Sequence, residues 1–145
     1  MNESLHKYVL GVFIDFSGAF DNLIWSIIIE KLRVIECKEL GLWFSYFTNR
    51  KACVIGNADV EWKNLRQGCP QGSVCGTYIW NLAMNDLLES LTTIGCKICA
   101  YAEDLLLLVE ANSRVELELN SMRYLNVVMN CSITVTCMAL FFRHF

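Results

Sequence analysis

Residues Tyr8 to Phe16 read Tyr-Val-Leu-Gly-Val-Phe-Ile-Asp-Phe, an apolar and β-branched run with a single acid embedded near its end. That pattern predicts a buried β-strand finishing at Asp15. A carboxylate beside so much apolar sequence is costly unless it is hydrated, paired or holding a metal. The fold must therefore bring the end of this strand to a place where one of those three happens.

The rest of the chain supplies the partners such a strand needs. Ser17-Gly18-Ala19 is a turn, and Leu23 to Val34 has helical spacing, as does the aromatic-rich segment Leu40 to Asn49. Ala52 to Ile55 and Val60 to Leu65 read as a hairpin around Gly56-Asn57-Ala58-Asp59. The strongest turn chemistry is Gly68-Cys69-Pro70-Gln71-Gly72-Ser73, followed by a long helix over Val74 to Thr92. Lys97 to Tyr101 and Leu105 to Val109 form a second hairpin around Ala102-Glu103-Asp104. Arg114 to Asn130 is a helix announced by Ser113 with Glu116 three residues on, and Ile133 to Phe142 closes as a strand. The expected class is α+β, an antiparallel sheet covered by helices on one face.

Composition narrows the setting. The 145 residues are 54% hydrophobic and 19% charged, which excludes a disordered chain or linker. A mean hydropathy of +0.37 is high for a free-standing domain of this size, which keeps much of its surface in water. A net charge of −3 argues against strong autonomous binding to nucleic acid, whose affinity comes largely from Lys and Arg on phosphates. Apolar runs such as Leu23 to Ile29 and Leu105 to Val109 fall well short of the roughly 20 residues of a membrane span, and no signal peptide is visible. Eight scattered cysteines suit reduced, mostly buried thiols in an intracellular protein of the cytoplasm or nucleus, not a secreted one. Cys96-Lys97-Ile98-Cys99 lacks the second pair of a zinc ribbon, and His6 and His144 have no partner pattern.

Two acid sites stand out: Asp15 at its strand end, and Glu103-Asp104 at the tip of a tight hairpin. Acids on adjacent strands would suit a two-metal phosphoryl-transfer centre, because Mg²⁺ takes one or two carboxylates and leaves its other positions to water and phosphate. Solvated turn residues are the plainer alternative for both. The glycine loop adds a close backbone approach at a helix N-terminus, suited to phosphates or bases, though no Gly-Lys-Ser/Thr follows.

Taken together and in order, these segments resemble the reverse transcriptases. Val12-Phe13-Ile14-Asp15-Phe16-Ser17-Gly18-Ala19-Phe20-Asp21 is similar to the first catalytic motif of that family. Gly68-Cys69-Pro70-Gln71-Gly72-Ser73-Val74-Cys75-Gly76, running on to Leu87, resembles the second. Ala100-Tyr101-Ala102-Glu103-Asp104-Leu105 resembles the third, usually Tyr-Ala-Asp-Asp. The wording is closest to retrotransposons without long terminal repeats, abundant in arthropods. The resemblance implies that residues 1–145 form a single partial reverse transcriptase domain, a polymerase palm with fingers and thumb largely absent. Asp15, Glu103 and Asp104 would be catalytic and hold two Mg²⁺ ions. Phe20 would exclude a nucleotide 2′-hydroxyl, and Gln71 and Gly72 would lie against template and incoming nucleotide. The implied partners of the parent enzyme, an RNA-directed DNA polymerase, are an RNA or DNA template-primer and deoxynucleoside triphosphates. Weak nucleic-acid binding is expected of this chain.

Three departures bear on activity. Glu103 stands where the family has Asp, one methylene longer. Thr77 replaces a usual proline after the second motif. Thr134-Val135-Thr136-Cys137-Met138 lacks the lysine that the family carries before its last palm strand. The alternative expectation is thus an inert relic of a decayed element, and a third, a palm kept only for binding, meets the absence of a basic patch.

Overall fold

The computed structural model describes residues 8–16, 18–56, 59–131 and 137–143, divided into two compact units. The first comprises residues up to Ala19 and from Met84 onward, and the second runs from Phe20 to Ala83.

In the first unit, β1 (Tyr8–Asp15) is the strand predicted from its apolar run. It lies between β5 (Asp104–Ala111) and β6 (Cys137–Arg143), and β4 (Lys97–Tyr101) flanks β5, giving the antiparallel order β4-β5-β1-β6. The expected residues Ile133 to Thr136 of the last strand lie outside those described. Side chains alternate across the pleat. Leu10, Val12 and Ile14 of β1 are buried together with Leu105, Leu107, Val109 and Ala111 of β5. Their neighbours Phe13, Asp15, Asp104 and Leu108 are exposed on the other face. Helix α4 (Arg114–Met129) packs against β5 and β1 and buries Leu117 and Val128. Its cap is the one the sequence announces: the Ser113 hydroxyl accepts from the Glu116 N–H at 3.2 Å, and the Glu116 carboxylate accepts from the Asn112 N–H at 2.8 Å. Met84, Leu87 and Leu91, from the second half of α3 (Val74–Thr93), are also buried. One face covered and one face open is the arrangement expected from the sequence.

The second unit holds α1 (Trp25–Val34), α2 (Leu40–Phe47), the two-stranded ribbon of β2 (Lys51–Ile55) and β3 (Val60–Asn64), and the first half of α3. Ile28 and Leu32 of α1 are fully buried, and Trp25, Trp43, Phe47 and Tyr78 stack in a chain of ring contacts. The Lys31 ammonium donates to the Leu82 and Ala83 carbonyls at 3.1 and 2.8 Å, a cross-link between α1 and α3 that ties residues some fifty positions apart.

Because Leu107 is fully buried and Leu108 is 37% exposed, the two adjacent leucines test the assignment of faces. Leu107→Ala is expected to lower the free energy of unfolding by about 2–5 kcal/mol, and Leu108→Ala by less than about 1.5 kcal/mol. Urea denaturation followed by circular dichroism measures both, and equal losses would mean that the faces are wrongly assigned.

Candidate active site and a glycine loop

The pairing of β1 with β5 sets Asp15 directly opposite Asp104. Tyr101 of β4 is in turn opposite Asp104, and Asp15 is opposite Cys137 of β6, so the acid pair sits at the strand ends in the middle of the sheet. Like charges directly opposed across a strand pair destabilise it. Among the described residues neither carboxylate has a Lys or Arg partner; ion pairs lie elsewhere, as between Arg33 and Glu30 and between Lys97 and Glu110. Both acids line a cavity of about 360 Å³ on the open face, walled by Phe13, Tyr101, Cys99 and Leu106.

Glu103 takes a different place. It is half-buried in the two-residue turn between β4 and β5, where Ala102 adopts a left-handed backbone with φ of 50°. That conformation is uncommon for a residue with a Cβ. Glu103 is not among the residues walling the acid-lined cavity. Among the described residues no three His, Cys, Asp or Glu gather closely enough to hold a metal. The two opposed carboxylates do fit Mg²⁺, a hard ion that is commonly held by one or two protein acids and completes its shell with water and substrate phosphate.

In the other unit the glycine loop is built by local necessity. Gly68 has φ of +82°, and a Cβ there would come within 2.8 Å of the Asp21 carbonyl oxygen. The loop is held to the segment after β1 by Cys69 N–H to Phe20 O at 2.8 Å, Gly68 N–H to Leu23 O at 2.7 Å, and the Trp25 indole N–H to Gly68 O at 2.6 Å. Ser73 N–H closes the turn onto Pro70 O at 3.1 Å with Gly72 at φ +75°, as a type II turn requires. The Ser73 hydroxyl then caps α3 by accepting from Gly76 N–H at 3.0 Å. Gln71 and Gly72 are exposed at the tip. Phe20 is half-buried with its ring 5.5 Å from that of Trp80. The structure thus joins Asp15 to Asp104 in one unit and Phe20 to the glycine loop in the other.

The cysteines correct one expectation: of the seven whose side chains are described, all free, only Cys69 and Cys96 are buried. Cys99 lies exposed on the open face of the sheet while Cys96 is buried ahead of β4, so the Cys-x-x-Cys pair does not converge. A second correction concerns charge. Arg50, Lys63 and Arg66, dispersed in the sequence, line one cavity of about 760 Å³, so a basic patch does exist. Sequence reading missed it because the three cations come together only when β2 and β3 pair.

Residues 1–135 match the reverse transcriptase (RNA-dependent DNA polymerase) family. The chain is 44% identical over 125 residues to a putative 115 kDa protein in the type-1 retrotransposable element R1DM of Drosophila melanogaster, an alignment covering 86% of this chain and 12% of that protein. It is 46% identical over 112 residues to a retrovirus-related Pol polyprotein from type-1 retrotransposable element R1 of Bradysia coprophila, covering 77% and 11%. A corresponding polyprotein of Nasonia vitripennis is 53% identical over 51 residues, covering 35% and 15%. The chain belongs to the reverse transcriptase family, as a partial reverse transcriptase of the retrotransposon type without long terminal repeats. It spans 11–12% of the length of the first two relatives. Among the described residues no helix is long and apolar enough to cross a membrane.

Burial pushes the Cys96 thiol from its ordinary 9.0 up to about 11. Cys69 is raised too, chiefly by desolvation, against the Arg50 guanidinium and with Asp21 and Cys75 adding to the rise. A native pKa above the unfolded value means that the folded chain keeps the proton longer. This contribution to stability is full below pH 9.0 and is lost as pH rises toward about 11. Iodoacetamide labelling read by mass spectrometry should modify Cys53 and Cys99 first and Cys69 and Cys96 last. Cys96→Ala should flatten the alkaline loss of stability, and a labelling order that ignores burial would contradict this account.

Proposed function

We propose that the chain is the palm segment of a retrotransposon's RNA-directed DNA polymerase, one partial domain over its whole length, with Asp15, Glu103 and Asp104 as its catalytic acids. The observation that carries this reading is the register that sets Asp15 opposite Asp104 on an open sheet face, in a chain of this family. A pair of uncompensated acids kept opposed at some cost in stability suits a cation better than it suits structure. The substrates are a primed RNA or DNA template and deoxynucleoside triphosphates, in keeping with the family match. Seven free thiols suit action inside the cell, in cytoplasm or nucleus.

Asp15 and Asp104 are the residues that would hold Mg²⁺, two ions in the full reading, with Glu103 adding a ligand from the adjoining turn. Bound magnesium supplies positive charge at the reacting phosphate and lowers the pKa of an attacking primer 3′-hydroxyl. The chain's part is positional. The β1–β5 ladder fixes the backbone from which the two carboxylates project, beside the apolar side chains of Phe13 and Leu106. Phe20, braced on the Trp80 ring, suits the role of a barrier to a 2′-hydroxyl, and the exposed Gln71-Gly72 turn suits contact with template and incoming nucleotide. The second reading, an inert relic, is favoured by Glu103 in place of Asp and by its place outside the acid-lined cavity.

Single-turnover nucleotide incorporation with saturating Mg²⁺ tests both, using a longer enzyme that carries this segment between the flanking domains of an active relative. Asp15→Asn should lower the rate by at least about 10²-fold, as expected for a misplaced group in an oriented site. Glu103→Asp should raise it by about 10–10²-fold, because octahedral Mg²⁺ at about 2.0–2.1 Å tolerates displacement poorly. The 145-residue chain alone should not extend a primer measurably. If Asp15→Asn left the rate unchanged, the polymerase assignment of these acids would be wrong.

A further inference from the structure

We propose that the solvent face of α4 is a self-association surface, on which a second copy of this chain packs its own α4 in parallel. Val115, Leu119, Met122 and Met129 are each between 60% and 68% exposed, on a helix whose opposite side buries Leu117, Ser121 and Val128. Apolar residues scattered singly over a surface need no partner. These are not scattered: with Asn126 between the last two, they recur at alternating intervals of four and three residues. At about 100° per residue, the stripe from Val115 to Met129 stays within about 80° of the helix circumference, centred opposite the buried side chains. That is the spacing of a two-stranded coiled-coil seam, which a like stripe on the facing helix buries.

The charges beside the stripe say which partner it fits. Glu118 flanks it on one side and Arg123 on the other, both exposed, and among the described residues neither forms an ion pair. They stand five positions apart, the separation at which flanking side chains of two parallel, in-register helices meet across the seam. A two-fold axis along the seam therefore makes two Glu118–Arg123 pairs from one sequence, the self-complementarity that an isologous interface requires. Asn126 meets its own counterpart on the axis, where an amide inside an apolar seam fixes register at a cost in stability. An antiparallel pair would instead set Glu118 beside Leu125 and Arg123 beside Glu116, whose carboxylate already accepts the Asn112 N–H at 2.8 Å. An unrelated partner would have to supply this complement; a second copy carries it already.

The surface stands apart from the acid pair. Helix α4 covers the buried face of the sheet, whereas Asp15 and Asp104 are exposed on the other, and no residue of the stripe lines the acid cavity. The inference therefore does not rest on the polymerase reading. A helix of 16 residues is about 24 Å long, and one stripe along it covers less than the roughly 800 Å² per partner of a standard interface. The dimer is accordingly weak and forms at high concentration.

Sedimentation equilibrium of the 145-residue chain over about 5–500 μM, a range suited to an undersized interface, tests the proposal. A reversible monomer–dimer equilibrium is expected. Leu119→Glu/Met122→Glu should raise the dissociation constant at least about tenfold, because charge replaces apolar contact at the centre of the seam. Arg123→Glu alone should raise it about three- to tenfold at low salt by setting like charges across the axis. The double variant Glu118→Arg/Arg123→Glu should return it to within about twofold of the parent, since each charge again meets its opposite. The control Val54→Ser/Ile55→Ser removes exposed apolar side chains from β2 instead and should leave the constant unchanged. Circular dichroism confirms that each variant is folded. A chain that stays monomeric throughout this range would overturn the second copy as occupant and leave the stripe to another segment or protein. Dimers that survive Leu119→Glu/Met122→Glu, or equal losses in the α4 and β2 variants, would overturn the surface. An unchanged constant in Arg123→Glu, or a charge exchange that fails to restore association, would overturn the parallel pairing.

Discussion

The antiparallel pairing of β1 with β5 is the constraint on which the first unit depends. It runs in unbroken register from Tyr8 opposite Ala111 to Asp15 opposite Asp104. A strand's side chains alternate with period two, so a slip of one residue would exchange Leu10, Val12 and Ile14 for Val9, Gly11 and Phe13 on the face against α4. The same slip would turn Asp15 into the core. Hydrophobic burial thus holds the register, and the register in turn holds two acids opposite each other on the open face. The apolar residues that dominate β1 and β5 set the position of a site to which they contribute no chemistry.

A different kind of necessity governs the second unit. There a glycine rather than a hydrophobic pattern sets the geometry, because the Asp21 carbonyl occupies the space where a Cβ at position 68 would stand. The carbonyl of Gly68 accepts the Trp25 indole N–H, which ties the loop to the first turn of α1. Trp25 itself lies against Phe47, so the loop's position is carried into the aromatic cluster of the helices. The left-handed Gly72 then lets the chain turn sharply enough for Ser73 to cap α3. Short-range turn chemistry and long-range aromatic packing agree here, which is the consistency expected of a segment that must hold one conformation.

Much of this was legible in the residues themselves. The strand ending at Asp15, the helix beginning at Val74 and the Ser113–Glu116 cap all follow from local rules of alternation, turn chemistry and capping. They could be placed because each rule acts over a few residues. What escaped was nonlocal. Lys31 looks like an ordinary cation on a helix face, yet its ammonium bonds carbonyls in the middle of α3. Arg50, Lys63 and Arg66 become a cluster only through the β2–β3 ribbon and the loop after it, and the chain's acidic average conceals them. Composition could not separate exposed Cys53 and Cys99, on strands, from buried Cys69 and Cys96, which lie in the glycine loop and just ahead of β4, because a cysteine's burial depends on where the tertiary fold puts its segment. Glu103 was legible as a departure in kind, but its half-buried place in a turn with a left-handed Ala102 was not.

The arrangement of charge ties these observations to function. Two carboxylates are held opposite each other where either could have been an amide or a hydroxyl at no cost to the core, since both point away from it. Repulsion between them is small in water and grows as a ligand or partner excludes solvent from the face. An acid pair of this kind is therefore least stable in the circumstance in which a substrate covers it, unless positive charge arrives with the substrate. On the polymerase reading proposed above, magnesium carried on nucleotide phosphates would meet that condition without a third acid to hold it permanently. Among the described residues the acid pair of the first unit has no Lys or Arg beside it, and it is this unbalanced charge, held by the register of β1 on β5, on which the proposed reading rests.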